Sequence, residues 1–240
     1  MSNCREIQKA LRALGDKDIA QHSQKFFKTG KGEYGEGDQF IGVRVPVTRK
    51  IAATYKNTPL TEIEKLLHSK FHEERLLAVI MLANIAKTAD LALLKTIYQL
   101  FETNTQYINN WDIVDSSAPY IVGKHLYDKD RSPLYKFARS KSLWERRISI
   151  ISTLYFIKQD DFTDTLAIAE ILLKDKHDLI HKATGWMLRE VGNRSIQTEE
   201  VFLRQHFQHM PRTMLRYAIE KFPESKRQKY LKGNIITDSH

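Results

Sequence analysis

The chain has 240 residues, with 38 Lys and Arg against 29 Asp and Glu, so its formal net charge is +9 and its pI is about 9.4. A hydrophobic fraction of 42% with 28% charged residues is typical of a globular chain, and 10 glycines and 6 prolines exclude a collagen-like or linker-dominated one. No apolar run approaches the roughly 20 residues of a membrane helix, no apolar export signal opens the chain, and the one cysteine, Cys4, excludes an internal disulfide.

These features predict a soluble, cytoplasmic protein of one large domain or two small ones. A single cysteine also leaves no multi-cysteine zinc or iron–sulfur site, and no cofactor is indicated. The basic balance favours a nucleic-acid partner, although many other proteins share it.

The first 60 residues hold most of the positive charge. Their net charge is +5 (11 basic, 6 acidic), against +2 for residues 61–160 (14, 12) and +2 for residues 161–240 (13, 11). The predicted elements of this part are a helix near Arg5–Leu14, a second near Ile19–Phe27 and a glycine-rich stretch, Thr29–Gly42. We expect Lys28, Lys31 and Arg44 to bind a phosphate backbone, since they belong to this basic excess.

Within the glycine-rich stretch, Gly30 to Gly35 matches the dinucleotide-binding pattern of glycines by letter. That motif functions only between a strand and a helix, where the helix N-terminus holds a pyrophosphate. Here a helix precedes the glycines, and no strand is predicted. The segment is therefore interpreted as a flexible basic loop that reaches phosphate.

From Thr61 onward the sequence predicts helices only. Capping boxes are predicted at Thr61–Glu64 and Ser142–Glu145, and Gly192 and Gly233 are predicted helix stops. Taken in pairs, the second helices are predicted to begin near residues 72, 110, 142, 178 and 211, at spacings of 38, 32, 36 and 33 residues. Such spacing is typical of helical solenoids.

The predicted fold is all-α, a superhelical solenoid of HEAT-like helical repeats in which the second helices line one face. One domain is expected over residues 1–232, comprising an N-terminal part (1–60) and helical hairpin repeats (61–232), with a flexible tail over 233–240. The alternative is an irregular helical bundle, because the units share little sequence.

The most informative segment runs from Asn109 to Pro119. Asn109 or Asn110 is suited to cap a helix that starts at Trp111, which places Trp111 and Asp115, four residues apart, on one face. Pro119 is predicted to end or kink that helix. Ile113 and Val114 are expected to face the core, and Asp112 is interpreted as a solvated first-turn acid.

Trp111, Trp144 and Trp186, the three tryptophans, all fall on second helices of consecutive units. If those helices line one face, Trp111, Asp115, Arg147 and Trp186 are expected to converge on one cleft, with Arg189 on the same face. A core role is favoured for Trp144, which lies in a capping turn.

Two histidine pairs, His177 with His181 and His206 with His209, have helical spacing. The Glu of the HExxH zinc motif is missing and no third ligand is apparent, so surface or capping roles are favoured and no metal is predicted.

Five segments together resemble the AlkD family of DNA alkylation repair glycosylases. They are GVRVP (Gly42–Pro46), HEERLLAVIML (His72–Leu82), NWDIVDSSAP (Asn110–Pro119), ERRISII (Glu145–Ile151) and HKATGWMLREVG (His181–Gly192). The resemblance covers about residues 20 to 222 and implies a curved stack of HEAT-like repeats that cradles duplex DNA.

The resemblance also implies roles for individual residues. Trp111 and Trp186 would contact the deoxyribose of the lesion, Asp115 would be the catalytic carboxylate, and Arg147 would hold the DNA backbone. The implied activity is base excision of 3-methyladenine and 7-methylguanine from duplex DNA by a monomer that does not enclose a flipped base.

Two other classes of function stay open. One is a non-catalytic HEAT-repeat protein that binds distorted DNA by shape, and the other is a protein-interaction scaffold. Steep salt dependence of binding would favour a DNA-binding role, and excision of a methylated base would favour an enzyme.

Overall fold

The computed structural model describes residues 3–235. Regular structure in this part of the chain is helical, apart from one isolated parallel bridge between Gln39 and Phe71. The chain divides into two compact units, residues 1–121 and 122–240. None of the helices within residues 3–235 is long and apolar enough to cross a membrane.

The first unit begins with two short helices and continues with longer ones after the glycine-rich stretch. Its helices are α1 (Cys4–Arg12), α2 (Lys17–Phe26), α3 (Val45–Thr54), α4 (Leu60–Leu67), α5 (His72–Thr88), α6 (Leu91–Thr103) and α7 (Trp111–Ala118). A π-helical turn over Pro119–Gly123 follows α7, so proline ends the α-helix where the sequence predicts.

Helix α5 forms the centre of the first unit. Its middle is buried on all sides, since residues 76–83 are all at most 3% exposed, and α3, α4 and α7 pack against it. Burying one such side chain contributes about 1.5–3 kcal/mol to stability. Helix α5 is therefore the support on which α7, with Trp111, is held.

The second unit has the same all-helical character. Its helices are α8 (Lys124–Leu126), α9 (Ser132–Ala138), α10 (Leu143–Ser152), α11 (Leu154–Ile157), α12 (Thr163–Leu172), α13 (Asp178–Arg194), α14 (Ile196–His206), α15 (Arg212–Ala218) and α16 (Glu224–Lys232). The central helix is α13, against which α10, α14 and α15 pack.

The predicted helix starts agree with the structure. The second helices begin at residues 72, 111, 143, 178 and 212, each within one residue of its predicted position. Capping side chains at three of these starts, Asn110, Ser142 and His177, account for the agreement there, because caps are local signals that do not depend on the tertiary fold. Ser142, for example, accepts a hydrogen bond from the Glu145 N–H at 3.4 Å.

Two predicted helix boundaries were wrong, the capping box at Thr61–Glu64 and the helix stop at Gly192. Helix α4 starts at Leu60 after Pro59, so Thr61 lies inside the helix, and Glu64 accepts from Asn104 Nδ2 at 3.1 Å instead of closing a capping box. Gly192 does not end a helix, because α13 continues to Arg194.

The C-terminal stop at Gly233 is confirmed. Gly233 ends α16 with a φ of 74°, in the left-handed region that glycine adopts readily. Of the tail predicted over residues 233–240, residues 236–240 lie outside the described part of the chain. The single-domain boundary stays a prediction.

Candidate active site

Helix α7 brings Trp111 and Asp115 to one face, as the spacing predicts. The Asn110 side chain caps the helix by accepting from the Trp111 N–H at 2.8 Å. Ile113 and Val114 are completely buried, as expected of the core face. Trp111 and Asp115 are half-buried and line the same cavity, which has a volume of about 450 Å³.

The walls of this cavity combine aromatic and basic side chains. Phe26 and Phe27 from the end of α2 form one side, and Tyr120 lies beyond α7. Arg49 of α3 and Lys87 of α5 also line it, with Lys87 Nζ 4.4 Å from the centre of the Tyr120 ring. The cavity is therefore lined by two carboxylates, the half-buried Asp115 and the buried Asp112, together with aromatic rings and two cations.

Phe27 and Phe26 cover Trp111. The Phe27 ring stacks on the indole at 5.4 Å with an interplanar angle of 20°, and Phe26 meets it edge-on at 6.1 Å. Phe26 remains 58% exposed, which is unusual for a large apolar side chain. Neither phenylalanine is predicted from the sequence to lie at the site, because nothing in their local pattern relates them to a helix more than 80 residues away.

A second cavity, of about 740 Å³, lies on the other side of the two phenylalanines. Its lining includes Phe40 and Val43 from the glycine-rich stretch, with His72 and Asp112 at its inner end. Phe26, Phe27 and Asp112 line both cavities.

Asp112 is buried, so its interpretation as a solvated first-turn acid was wrong. It is 9% exposed, and its Oδ2 lies 2.9 Å from Nε2 of His72. The other imidazole nitrogen, Nδ1, lies 3.1 Å from Oδ2 of Asp38, which also pairs with Arg75. Two carboxylates and two cations thus form a buried network, His72–Asp112–Asp38–Arg75.

This network stabilises the imidazolium form of His72. Burial alone would lower the pKa of His72, but the charges and hydrogen bonds of Asp112 and Asp38 outweigh it and raise the pKa to about 9. Burial alone would likewise raise the pKa of Asp38, yet the hydrogen bond from His72 and the charge of Arg75 hold it below its ordinary value. At neutral pH, His72 therefore donates from both ring nitrogens.

The next residue of α5, Glu73, holds the segment that leads into α3. Glu73 accepts from the backbone N–H groups of Ile41, Gly42 and Val43 at 2.8–3.2 Å. Gly42 has a φ of 88°, and a Cβ there would lie 1.9 Å from the carbonyl oxygen of Asp16. This explains in physical terms why a glycine occupies the first position of the GVRVP segment.

The predicted backbone-binding residues of the first unit are all exposed. Lys28 and Lys31 lie in the loop between α2 and α3, where Lys28 has a φ of 51°. Arg44 precedes α3 and lines the larger cavity. A helix precedes Gly30–Gly35, as expected, so the setting of a dinucleotide-binding turn is missing there.

The second unit holds the other predicted site residues. Trp186 is half-buried on α13 and donates from Nε1 to Glu190 at 2.8 Å. Arg147 is only 5% exposed and donates from Nη1 to the Leu179 carbonyl oxygen at 2.6 Å. The DNA-contacting roles of Trp186 and Arg147 stay predictions, as does their predicted convergence with Trp111 and Asp115.

Arg189 and Trp144 differ in their surroundings. Arg189 forms an ion pair with Glu220. Trp144, for which a core role was favoured, is half-buried in the first turn of α10. A capping turn lies at the surface of a unit, which accounts for its partial exposure.

The histidine pair at the start of α13 has a capping role, as favoured. His177 caps the helix by accepting from the Leu179 N–H at 3.2 Å, and the His181 ring contacts the Asp175 carbonyl oxygen at 2.6 Å. Across residues 3–235, no group of three or more His, Cys, Asp or Glu side chains is arranged to hold a metal ion.

Fold and site together define an all-α protein with a carboxylate and an indole in one cavity. Residues 7–222 match the family of DNA alkylation repair enzymes, and the chain belongs to this family. It therefore has a role in the repair of alkylated DNA.

A solved structure with a similar fold is described as a predicted DNA alkylation repair enzyme from Enterococcus faecalis. The likeness covers 88% of this chain and 97% of that one, with a TM-score of 0.69 and 15% sequence identity. It confirms the predicted all-α helical-repeat fold. Among curated proteins, none matches the chain.

Proposed function

We propose that this protein is a DNA N-glycosylase that removes cationic alkylated purines, 3-methyladenine and 7-methylguanine, from duplex DNA. The observation that carries the proposal is the shared cavity of Trp111 and Asp115, which also has Arg49 and Lys87 in its lining. Membership of the DNA alkylation repair family supports it.

The proposed reaction needs one carboxylate. Cleavage of the N-glycosidic bond builds positive charge on the deoxyribose, as in the hydrolysis of other glycosides. The Asp115 carboxylate would stabilise that charge and orient the attacking water. The indole face of Trp111 would stabilise the same cation by about 0.5–2 kcal/mol.

A purine alkylated at N3 or N7 is already cationic. When the N-glycosidic bond breaks, the bonding electron pair goes to the purine and neutralises that positive charge. A second carboxylic acid, which most sugar glycosidases use to protonate the leaving group, is then unnecessary. Neutral lesions such as uracil lack this advantage. The proposal therefore includes a strong preference for cationic bases.

The cations of the first unit would supply much of the affinity for the phosphate backbone. Arg49 and Lys87 line the cavity that contains Asp115. Arg44 is exposed and lines the second cavity, and Lys28 and Lys31 are exposed in the loop that follows Phe27. Each phosphate contact releases counterions, so binding is expected to weaken steeply with salt.

The roles proposed for the second unit rest on the family resemblance. Trp186 would contact the lesion sugar, and Arg147 and Arg189 would contact the backbone. For Arg189 this means exchanging its ion pair with Glu220 for a phosphate. We further propose that the protein acts as a monomer and leaves the base unenclosed.

Release of 7-methylguanine from a methylated duplex by the wild type and Asp115→Asn tests the proposal. The expected result is release by the wild type, a loss of about 100-fold or more in the variant, and unchanged DNA affinity. Asp128→Asn, which removes the same charge from an exposed position, is the matched control.

Other results would favour another class of protein. Salt-sensitive binding to methylated duplex without base release by the wild type would indicate a non-catalytic DNA-binding protein. Absence of both binding and release would indicate a scaffold. Release of uracil as fast as 7-methylguanine would contradict the proposed mechanism.

A further inference from the structure

We propose that His72 is a positioning residue for Trp111 and Asp115, acting through its hydrogen bond to Asp112 and its ring contact with Phe27. Its effect on catalysis rests on the function proposed above. Its effect on the position of the indole does not, and can be measured separately.

The hydrogen bond from His72 reaches the first turn of α7. Asp112 follows Trp111 directly and precedes Asp115 by three residues, so all three belong to the same short helix. Asp112 Oδ2 accepts from His72 at 2.9 Å, while its Oδ1 lies 2.9 Å from the Ile113 N–H. The hydrogen bond between His72 and Asp112 therefore restricts rotation of α7 about its own axis relative to α5.

The residues before Trp111 are held by the same network. Asn110 Nδ2 donates to Asp38 Oδ2 at 3.3 Å, and Arg75 Nε donates to Asn109 Oδ1 at 3.2 Å. The chain from Asn109 to Asp112 is thus bound through three side chains, those of Asn109, Asn110 and Asp112. A segment fixed at three points has little freedom to shift relative to α5.

Ring contacts connect His72 to Trp111 by a second route. The imidazole lies 4.6 Å from the Phe40 ring and 4.8 Å from the Phe27 ring. Phe27 in turn stacks on the Trp111 indole at 5.4 Å. An imidazolium between two aromatic rings is stabilised by cation–π attraction, which disappears when the ring becomes neutral.

The charged groups around His72 come from α7, from the loop before α3 and from α5 itself. Asp112 belongs to α7 and Asp38 to the loop before α3, while Arg75 and Glu73 lie on α5 itself. The larger cavity beside the ring is also lined by Asp18 and His22 of α2 and by Arg44.

Loss of the proton from His72 leaves one ring nitrogen without a hydrogen to donate. Either Asp112 or Asp38 then becomes a buried carboxylate facing a lone pair, which is unfavourable. Because the carboxylates raise the pKa of His72 to about 9, we expect α7 to be held firmly at neutral pH and less firmly above pH 9.

Fluorescence of Trp111 tests this without any activity. In a Trp144→Phe/Trp186→Phe background, Trp111 is the remaining tryptophan of the chain. Acrylamide quenching of its emission is expected to rise between pH 8 and 9.5 with a midpoint near 9. His72→Gln should abolish the transition, and His68→Gln, which alters the exposed histidine directly after α4, should leave it unchanged.

A second variant keeps the proposal testable where His72→Gln does not fold. Asp112→Asn removes one of the two negative charges beside the ring, so the midpoint should move down by about one pH unit or more. Quenching that is independent of pH in the wild type, or a midpoint unmoved by Asp112→Asn, would overturn the proposal.

Kinetics then report the catalytic consequence. With all three tryptophans present, His72→Gln should lower the single-turnover rate of base release at saturating DNA about 10- to 100-fold, since small misplacements of reacting groups cost this much. DNA affinity should change less than twofold. A His72→Gln variant with a normal rate would overturn the positioning role. A wild type that releases no base would contradict the proposed function, and the quenching experiment alone would then test whether His72 positions Trp111.

Discussion

Phe27 stacks on Trp111 at 5.4 Å, although Phe27 directly follows α2, Trp111 begins α7, and most of the first unit separates them in sequence. Both rings line the cavity that contains Asp115, so their contact helps to hold the indole beside that carboxylate. The glycine-rich stretch therefore has a structural role besides supplying basic side chains. It connects α2 to α3 in a way that allows Phe27 to stack on Trp111.

The first prediction concerns this contact. Phe27→Ala should destabilise the protein by about 2 kcal/mol and increase the acrylamide quenching of Trp111, because the substitution removes a half-buried ring and uncovers the indole. Phe27→Leu, which retains most of the apolar volume, should restore most of the stability and little of the stacking. Urea unfolding and quenching measure the two effects, and equal quenching in wild type and Phe27→Ala would contradict the assignment.

The second prediction concerns the basic lining of the cavity. Arg49→Ala should lower the slope of log K against log salt for duplex DNA by about 0.9, the value for one phosphate contact. Lys95→Ala removes the same charge from an exposed position on α6 and is the control. Fluorescence anisotropy between 50 and 200 mM salt measures the slope, and an equal change in both variants would show that only net charge matters.

The third prediction concerns stability and pH. The folded-state pKa of His72, about 9, lies above the ordinary histidine value of 6.5. The contribution of His72 to folding stability is therefore complete below pH 6.5 and is lost as the pH rises through 9. The difference corresponds to a fall of about 3 kcal/mol over that window. Urea unfolding at successive pH values should show the fall in wild type, while His72→Gln should show a smaller one.

The fourth prediction concerns a buried carboxyl group of the second unit. Burial raises the pKa of Glu199 to about 8, with a further contribution from the charge of Glu200, and Oε1 of Glu199 has no hydrogen-bond partner among residues 3–235. The contribution of Glu199 to the free energy of unfolding is therefore fully present below pH 4.5 and is lost as the pH rises through 8. Glu199→Gln, a neutral replacement, should therefore stabilise the protein by about 2–3 kcal/mol at pH 7 and by little at pH 4.5.

The fifth prediction uses the contact between Glu199 and Gly192. A Cβ at Gly192 would lie 1.7 Å from Oε2 of Glu199, so Gly192→Ala should destabilise by about 1–3 kcal/mol despite the better helix propensity of alanine. Glu199→Ala should remove the clash. In a double-mutant cycle, Gly192→Ala is expected to be neutral or stabilising in the Glu199→Ala background, and additive losses would contradict the contact.

The sequence by itself determined the features that depend on neighbouring residues. Helix starts were predicted within a residue at 72, 111, 143, 178 and 212, and the four-residue spacing of Trp111 and Asp115 placed both on one face. The family resemblance followed from short contiguous segments. Caps and helical spacing act over one or two turns, so they can be recognised without knowledge of the fold.

Only the tertiary structure decided which distant groups surround those residues. Asp112 has the sequence environment of an exposed first-turn acid, yet it lies 2.9 Å from a histidine 40 positions earlier, and Phe27 covers Trp111 from a different helix. Gly192 has the appearance of a helix stop, but its lack of a side chain accommodates Glu199 from α14. Such contacts arise when separate helices pack together, and helical periodicity specifies which face is buried without specifying what is buried against it.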